Sequence, residues 1–175
     1  IDRTTNTVDE VITVGASPAG IAITPDDTEA YVSNSDDEDV SVIDLATGIV
    51  THTISVHRVP IGVAISPDGK EVYVVNNDDG AVSVISTISK TQVATIWDIA
   101  FDVPFAVTFS QDGANAYITN DNDSKVSIID TATRTVTGTI DTGSDRQDRI
   151  AFAPNSRKLY VTSTGHNQVF FDNLG

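Results

Sequence analysis

An all-β fold made of four like units is predicted by three observations. Tyr31, Tyr73, Tyr117 and Tyr160 stand at intervals of 42, 44 and 43 residues, a period that marks a chain folded as an array of repeats. Each unit carries four short stretches of alternating or β-branched residues, with turn words about every 10 residues, as in a fold built from hairpins. No window of useful length shows the helical period of about 3.6 residues, so no helix is expected. Four strands per unit at this spacing correspond to the blade of a β-propeller. The predicted fold is therefore a β-propeller with four four-stranded blades, one domain over 1–175 with blades at about 15–56, 57–98, 99–141 and 142–175.

In the first full copy the strands, named a to d, are expected at about 20–24, 30–34, 40–44 and 49–56. Strand a follows Pro18, Pro60, Pro104 and, in the divergent fourth copy, Gln147. It reads Ile21-Ala22-Ile23, Val63-Ala64-Ile65, Val107-Thr108-Phe109 and Ile150-Ala151-Phe152. Large side chains fall on one face and small ones on the other, which suits blades that crowd toward an axis. The a-b turn is written Pro25-Asp26-Asp27, Pro67-Asp68-Gly69, Gln111-Asp112-Gly113 and Pro154-Asn155-Ser156, residues that preset turn dihedrals or tolerate left-handed ones. Strand b holds the ruler tyrosine and ends at Asn34, Asn76, Asn120 and Ser163. Strand c begins Val40-Ser41-Val42, Val82-Ser83-Val84 and Val126-Ser127-Ile128, and strand d is rich in threonine, as at Thr51, Thr53 and Thr135 to Thr139. Strand d is expected to be the wet outer strand.

The ends superpose on each other. Residues 1–15 match 129–143, so the chain opens at the end of a strand c and supplies a strand d at about 8–14 before its first full copy. Strand c of the last copy falls at 169–172. The N-terminal strand is accordingly expected to pair into the last blade and close the ring, which would remove the exposed sheet edges.

Composition narrows the partners. The formal charge of −15, with 10 Lys and Arg against 25 Asp and Glu, argues against nucleic acid and anionic membranes, which need clustered cations. No apolar run approaches the roughly 18 residues of a membrane span, and no signal peptide is seen. The sequence has no cysteine and no methionine, even at position 1, so disulfides and thiolate metal sites do not enter.

The words Tyr31-Val32-Ser33-Asn34, Tyr73-Val74-Val75-Asn76 and Tyr117-Ile118-Thr119-Asn120, with the Ser-Pro-Asp-Gly turn and the Val-Ser-Val-Ile stretch, resemble the YVTN family of β-propeller repeats across nearly the whole chain. That resemblance implies an exported or surface-layer-like protein used as an extracellular scaffold or binding surface. Related propellers include lactonases and redox-cofactor enzymes. Family members usually close seven blades where this chain holds four. A closed four-bladed ring, two chains sharing a ring and a piece of a longer protein all remain open.

Strand order puts the b-c and d-a loops on one face. The b-c loops carry Asp36, Asp37, Asp78, Asp79, Asp121 and Asp123, hard oxygen donors of the kind Ca²⁺ takes. Asp and Asn are also what hairpin turns use. Arg146 and Arg149 in the irregular fourth copy are candidates to grip a carboxylate or sugar, or to pair internally. Trp97, Phe101 and Phe105 form an aromatic stretch read as a partner anchor or as filling beside its own blade. Phe170 and Phe171 are candidates for self-association. Asn122 begins an N-glycosylation sequon. His52, His57 and His166 are read as surface histidines, and no nucleophile elbow or phosphate loop is present. The leading expectation is a non-catalytic extracellular or cell-surface interaction module that self-assembles, with no resident cofactor. The alternatives are a propeller hydrolase of lactonase type with a carboxylate-bound metal and a Ca²⁺-dependent glycan-binding module.

Overall fold

The computed structural model describes residues 4–144, 146–153 and 158–173, the last three by backbone alone. The described chain is all β, arranged as a β-propeller of four blades. Blade 1 contains β1 (Pro18–Ile23), β2 (Glu29–Asn34), β3 (Asp39–Asp44) and β4 (Ile49–Ser55). Blade 2 contains β5 (Pro60–Ile65), β6 (Glu71–Asn76), β7 (Ala81–Ser86) and β8 (Thr91–Trp97). Blade 3 contains β9 (Pro104–Phe109), β10 (Asn115–Asn120), β11 (Lys125–Asp130) and β12 (Thr135–Asp141). Blade 4 contains β13 (Gln147–Phe152), β14 (Lys158–Ser163) and β15 (Gln168–Asn173). Each is a sheet in chain order with antiparallel neighbours.

The repeated words act through backbone chemistry. The residue before each strand a is left-handed in all four copies: Ser17, Val59, Val103 and Arg146 have φ of 52, 52, 53 and 55°. Such a φ is unusual for branched Val59 and Val103, and a recurring hydrogen bond fixes it. The carbonyls of Ser17, Val59, Val103 and Arg146 accept from the amides of Ser35, Asn77, Asp121 and Thr164 at 2.9–3.1 Å. Strand a then starts with a bulge against strand b, as between Pro18 and Gly20 or Pro60 and Val63. A b-strand hydroxyl takes up the amide this frees in three copies, Gly20 to Ser33, Ala106 to Thr119 and Arg149 to Thr162. The asparagine at the end of strand b is fully buried in copies one to three and hydrogen-bonds the strand-c serine at 2.9–3.1 Å: Asn34 donates to Ser41 and Asn120 to Ser127, while the Asn76 amide oxygen accepts from Ser83.

Packing runs from each blade to the next. β1 lies on β5, β5 on β9 and β9 on β13. Tyr31, Val40, Val42 and Ile54 of blade 1 cluster with Val72, Val74 and Ile85 of blade 2, joined by Val56, Val63 and Ile65. Tyr73, Val82, Val84 and Ile96 of blade 2 meet Val107, Phe109, Ile118 and Ile129 of blade 3 in the same way. A smaller cluster joins Tyr117 and Val126 of blade 3 to Leu159 and Val161 of blade 4. Strand d is the most exposed strand of blades 1 to 3, as its threonines predicted. An ion pair staples successive blades on the turn side: Lys90 in the c-d turn of blade 2 pairs with Glu29 of blade 1, and Arg134 of blade 3 with Glu71 of blade 2.

The expected closure by the N-terminal strand is not found. Blade 4 has three described strands, and residues 8–14 belong to no sheet. Those residues do keep a strand's alternation, with Ile12 and Val14 half-buried and Val11 and Thr13 exposed. Ile12 and Val14 join Ala30, Val32 and Ile43 on the leading face of blade 1. Ile54 and Val56 hold the equivalent places on blade 2. The segment therefore occupies the strand-d position of a blade that would precede blade 1. It cannot also pair with β15, because no extended packing of β13 on β1 exists among the described residues. Among the described residues the four blades are not joined into a closed ring.

Candidate functional site

The b-c and d-a loops share one face, and the loop carboxylates bind the two together. Asp37 accepts the Ala16 amide at 2.7 Å and Asp36 the Ser17 hydroxyl at 2.5 Å. One blade on, Asp79 accepts the Arg58 amide at 2.9 Å and Asp78 pairs with the Arg58 guanidinium. In blade 3 the polarity reverses: Asn122 donates to the Asp102 carboxylate at 3.1 and 3.2 Å. Asp123 accepts the Lys125 amide at 2.9 Å, and the Asp121 amide bonds the Val103 carbonyl. These are loop-to-loop latches repeated around the face. Among the described residues no three His, Asp or Glu groups converge as a metal cage.

Copy four solves the same problem with different chemistry. Ser163 replaces the buried asparagine, and the Ser144 hydroxyl lies 2.8 Å from Ser163 and 2.5 Å from the His166 ring. His166 stands where Asp37 and Asp79 stand in copies one and two, so an imidazole replaces a carboxylate in the latch. Buried Gln147 reaches Thr142 from the proline position at 2.6 Å. This Ser144-Ser163-His166 group was not singled out from sequence. Its signal is the simultaneous loss of Asn, Asp and Pro at three aligned positions.

The aromatic stretch is split by the fold. Phe101 is buried in the blade 2 to blade 3 core. Phe105 is half-buried, with the Arg149 guanidinium 5.2 Å from its ring centre. Trp97, at the end of β8, stays 57% exposed, and Ile99 just after it is fully exposed. The His57 ring meets Trp97 edge-on at 5.0 Å and is itself held by Thr95 at 3.0 Å. Trp97 is thus a large, propped side chain on the loop face. Arg146 is exposed, and its backbone amide donates to the Asp121 carbonyl while its carbonyl accepts from the Thr164 amide. Phe170 is half-buried and lines a cavity of about 260 Å³ with Val126, Ile140, Leu159 and Val161. The Phe171 side chain lies outside the described residues. Asn122 is exposed, and His52 is exposed beside Thr51.

Two of the ruler tyrosines have displaced titrations. Burial first, and then the Glu71 charge, push the Tyr73 phenol up to about 12. Burial, the Glu29 charge and a 3.0 Å bond to Glu29 raise Tyr31 as well. Both sit between blades and away from the loop face, so they report packing.

The fold defines a β-propeller, and comparison with known proteins supports that class. The structure of Kuenenia stuttgartiensis hydrazine synthase is similar with a TM-score of 0.85 and 26% identity, covering 94% of this chain and 48% of that one. The β-propeller domain of Cps50 (Swd1) from Myceliophteria thermophila is similar with a TM-score of 0.77 and 12% identity, covering 90% of this chain and 54% of that one. The chain thus spans about half the length of each. No family model and no curated protein matches it.

Proposed function

We propose that this propeller is a non-catalytic interaction module of the YVTN kind, working outside the cell, whose loop face binds a protein partner. The observation that carries the reading is Trp97: 57% exposed, propped by His57 and followed by the exposed Ile99. A rigid indole beside an apolar neighbour is the usual anchor of a protein interface. The surrounding loops bear Asp78, Asp79 and Asp98, so the matching surface is an apolar pocket with a basic rim. Such a rim speeds encounter and makes it salt-dependent. The extracellular setting rests on the repeat words alone.

The test replaces Trp97 by a photoreactive analogue in the intact chain and exposes it to extract of the source cells. One protein adduct, lost on Ile99→Asp and weakened by salt, supports the reading. Adducts indifferent to Ile99→Asp overturn it. Capture that needs Ca²⁺ and is competed by free sugar would favour the glycan-binding alternative.

A further inference from the structure

We propose that the loop-face anchor is gated by acid: protonation of the His57 ring sets a positive charge against Trp97 and makes the anchor a poorer seat for a partner with a basic rim. The effect on partner binding rests on the loop-face reading. The coupling of the two rings is a property of the free chain.

Three observations carry it. The first is contact: the His57 and Trp97 rings meet edge-on with their centres 5.0 Å apart. His52 lies beside Thr51 and His166 beside Ser144, so neither of them reaches the indole. The second is access, since the His57 side chain is 31% exposed and Trp97 57%. A proton reaches the ring without unfolding the blade.

The third is the hydrogen-bond chain that holds the ring. His57 Nε2 lies 3.0 Å from the Thr95 hydroxyl, and Nδ1 lies 3.7 Å from an Asp79 carboxylate oxygen. Gln92 donates to the same Thr95 oxygen at 2.7 Å, so Thr95 offers its own proton to Nε2 and the neutral ring carries its proton on Nδ1. A second proton, added at Nε2, reverses the Thr95 bond and leaves a cation facing Asp79. The neutral and charged rings therefore hold Trp97 through different contacts.

The surroundings set the sign of the effect. Asp78 and Asp79 come from the b-c loop of blade 2 and Asp98 follows Trp97, while Glu38 and Asp39 stand across from Val56 and Ser55 where β4 ends. The neighbouring cation, Arg58, is paired with Asp78, and its amide holds Asp79. β8 brings no charge, and strand b brings the Asn76 amide, which donates to the His57 carbonyl at 3.2 Å. A basic rim is drawn to this acidic face and repelled by an added cation, and covering an imidazolium with protein costs more than covering a neutral ring. Acid weakens the seat.

The test uses the intact chain, whose single tryptophan is the reporter. An imidazolium in contact quenches indole emission by accepting an electron from the excited ring, and neutral imidazole quenches it little. Wild-type emission should rise through one transition between about pH 5 and about pH 8, the range in which imidazoles change charge. Iodide, an anion, should quench Trp97 better relative to caesium at the acid end. His57→Gln and His57→Phe, the second keeping an aromatic ring in place, should lose both effects with circular dichroism unchanged, and His52→Gln should keep them. Emission that ignores pH in the wild type, or a transition that survives both His57 variants, overturns the proposal. Adduct yield from the photoreactive chain should then fall about 2–5-fold from pH 8 to pH 5.5, as for one like charge added at a rim, and fall less with His57→Gln. A yield that is the same at both pH values overturns the gate. No adduct at either pH overturns the loop-face reading alone, and the emission titration still decides the coupling of His57 to Trp97.

Discussion

Tyr73 and Tyr160 occupy the same place in two copies of one repeat, and their surroundings differ completely. Tyr73 is fully buried, with its ring edge-on to Phe109 at 4.9 Å. Tyr160 is 39% exposed, since no described blade lies against its face. The residue and its strand are alike; Tyr73 has a following blade packed on it, and Tyr160 has none among the described residues. In a repeat protein the environment of a side chain is set by its neighbouring unit as much as by its own, since each unit contacts only those beside it.

The largest expected contrast is truncation at these two positions. Tyr73→Ala should cost about 3–5 kcal/mol by loss of buried contacts and cavity formation, while Tyr160→Ala should cost under about 1 kcal/mol. Urea unfolding midpoints would measure both, and similar costs would break the contrast. Next comes the end of strand b. Asn120 donates to the Lys125 carbonyl and to Ser127 and accepts the Asp102 amide at 3.2 Å, so Asn120→Ala should cost on the order of 2–3 kcal/mol. Ser163→Ala in the last copy should cost about half as much, because its group is smaller and shared with Ser144.

The staples sharpen the comparison further. Glu29 and Lys90 are largely buried between blades, so Lys90→Ala, which leaves the carboxylate and the Tyr31 hydroxyl short of a partner, should cost about 1–2 kcal/mol. Arg58→Ala, which breaks a pair more than 40% exposed on both sides, should cost about 0–1 kcal/mol. A double-mutant cycle in low and high salt separates the two pairs. The smallest effect is a gain. The Tyr73 hydroxyl is buried with no hydrogen-bond partner, so Tyr73→Phe should be neutral or stabilising by up to about 1 kcal/mol. Tyr31→Phe should destabilise by a similar amount, because it removes bonds to Glu29 and Lys90.

Alkaline pH tests the same burial. A phenol near 10 in the unfolded chain and about 12 at Tyr73 keeps its proton longer when folded. Its contribution is complete below pH 10 and is lost as pH rises through 12, since the folded state then binds more protons than the unfolded one. Stability should therefore fall from pH 10 to 12 in the wild type and fall less in Tyr73→Phe, as read by urea midpoints at each pH.

The repeat period, the four strands per copy, the turn words and the wet strand d were all legible in the residues, because each depends on local spacing and on side-chain period. The acidic loops were legible as loops, but not as latches. Whether Asp37 meets a cation or the Ala16 amide depends on a loop 21 residues away in sequence. The aromatic stretch was legible as a group, yet Phe101 and Trp97 leave the same loop in opposite directions, one into a core and one into solvent. The N-terminal segment was read correctly as a strand-d copy and placed on the wrong blade.

The sequence by itself determined the unit: how a blade folds, where it turns, and which faces are apolar. Tertiary structure alone decided how many units meet and at what angle. Matching ends make pairing possible, but pairing requires the first and last blades to touch. Their separation follows from the packing angle accumulated over successive blade interfaces, and that angle is written in no single repeat.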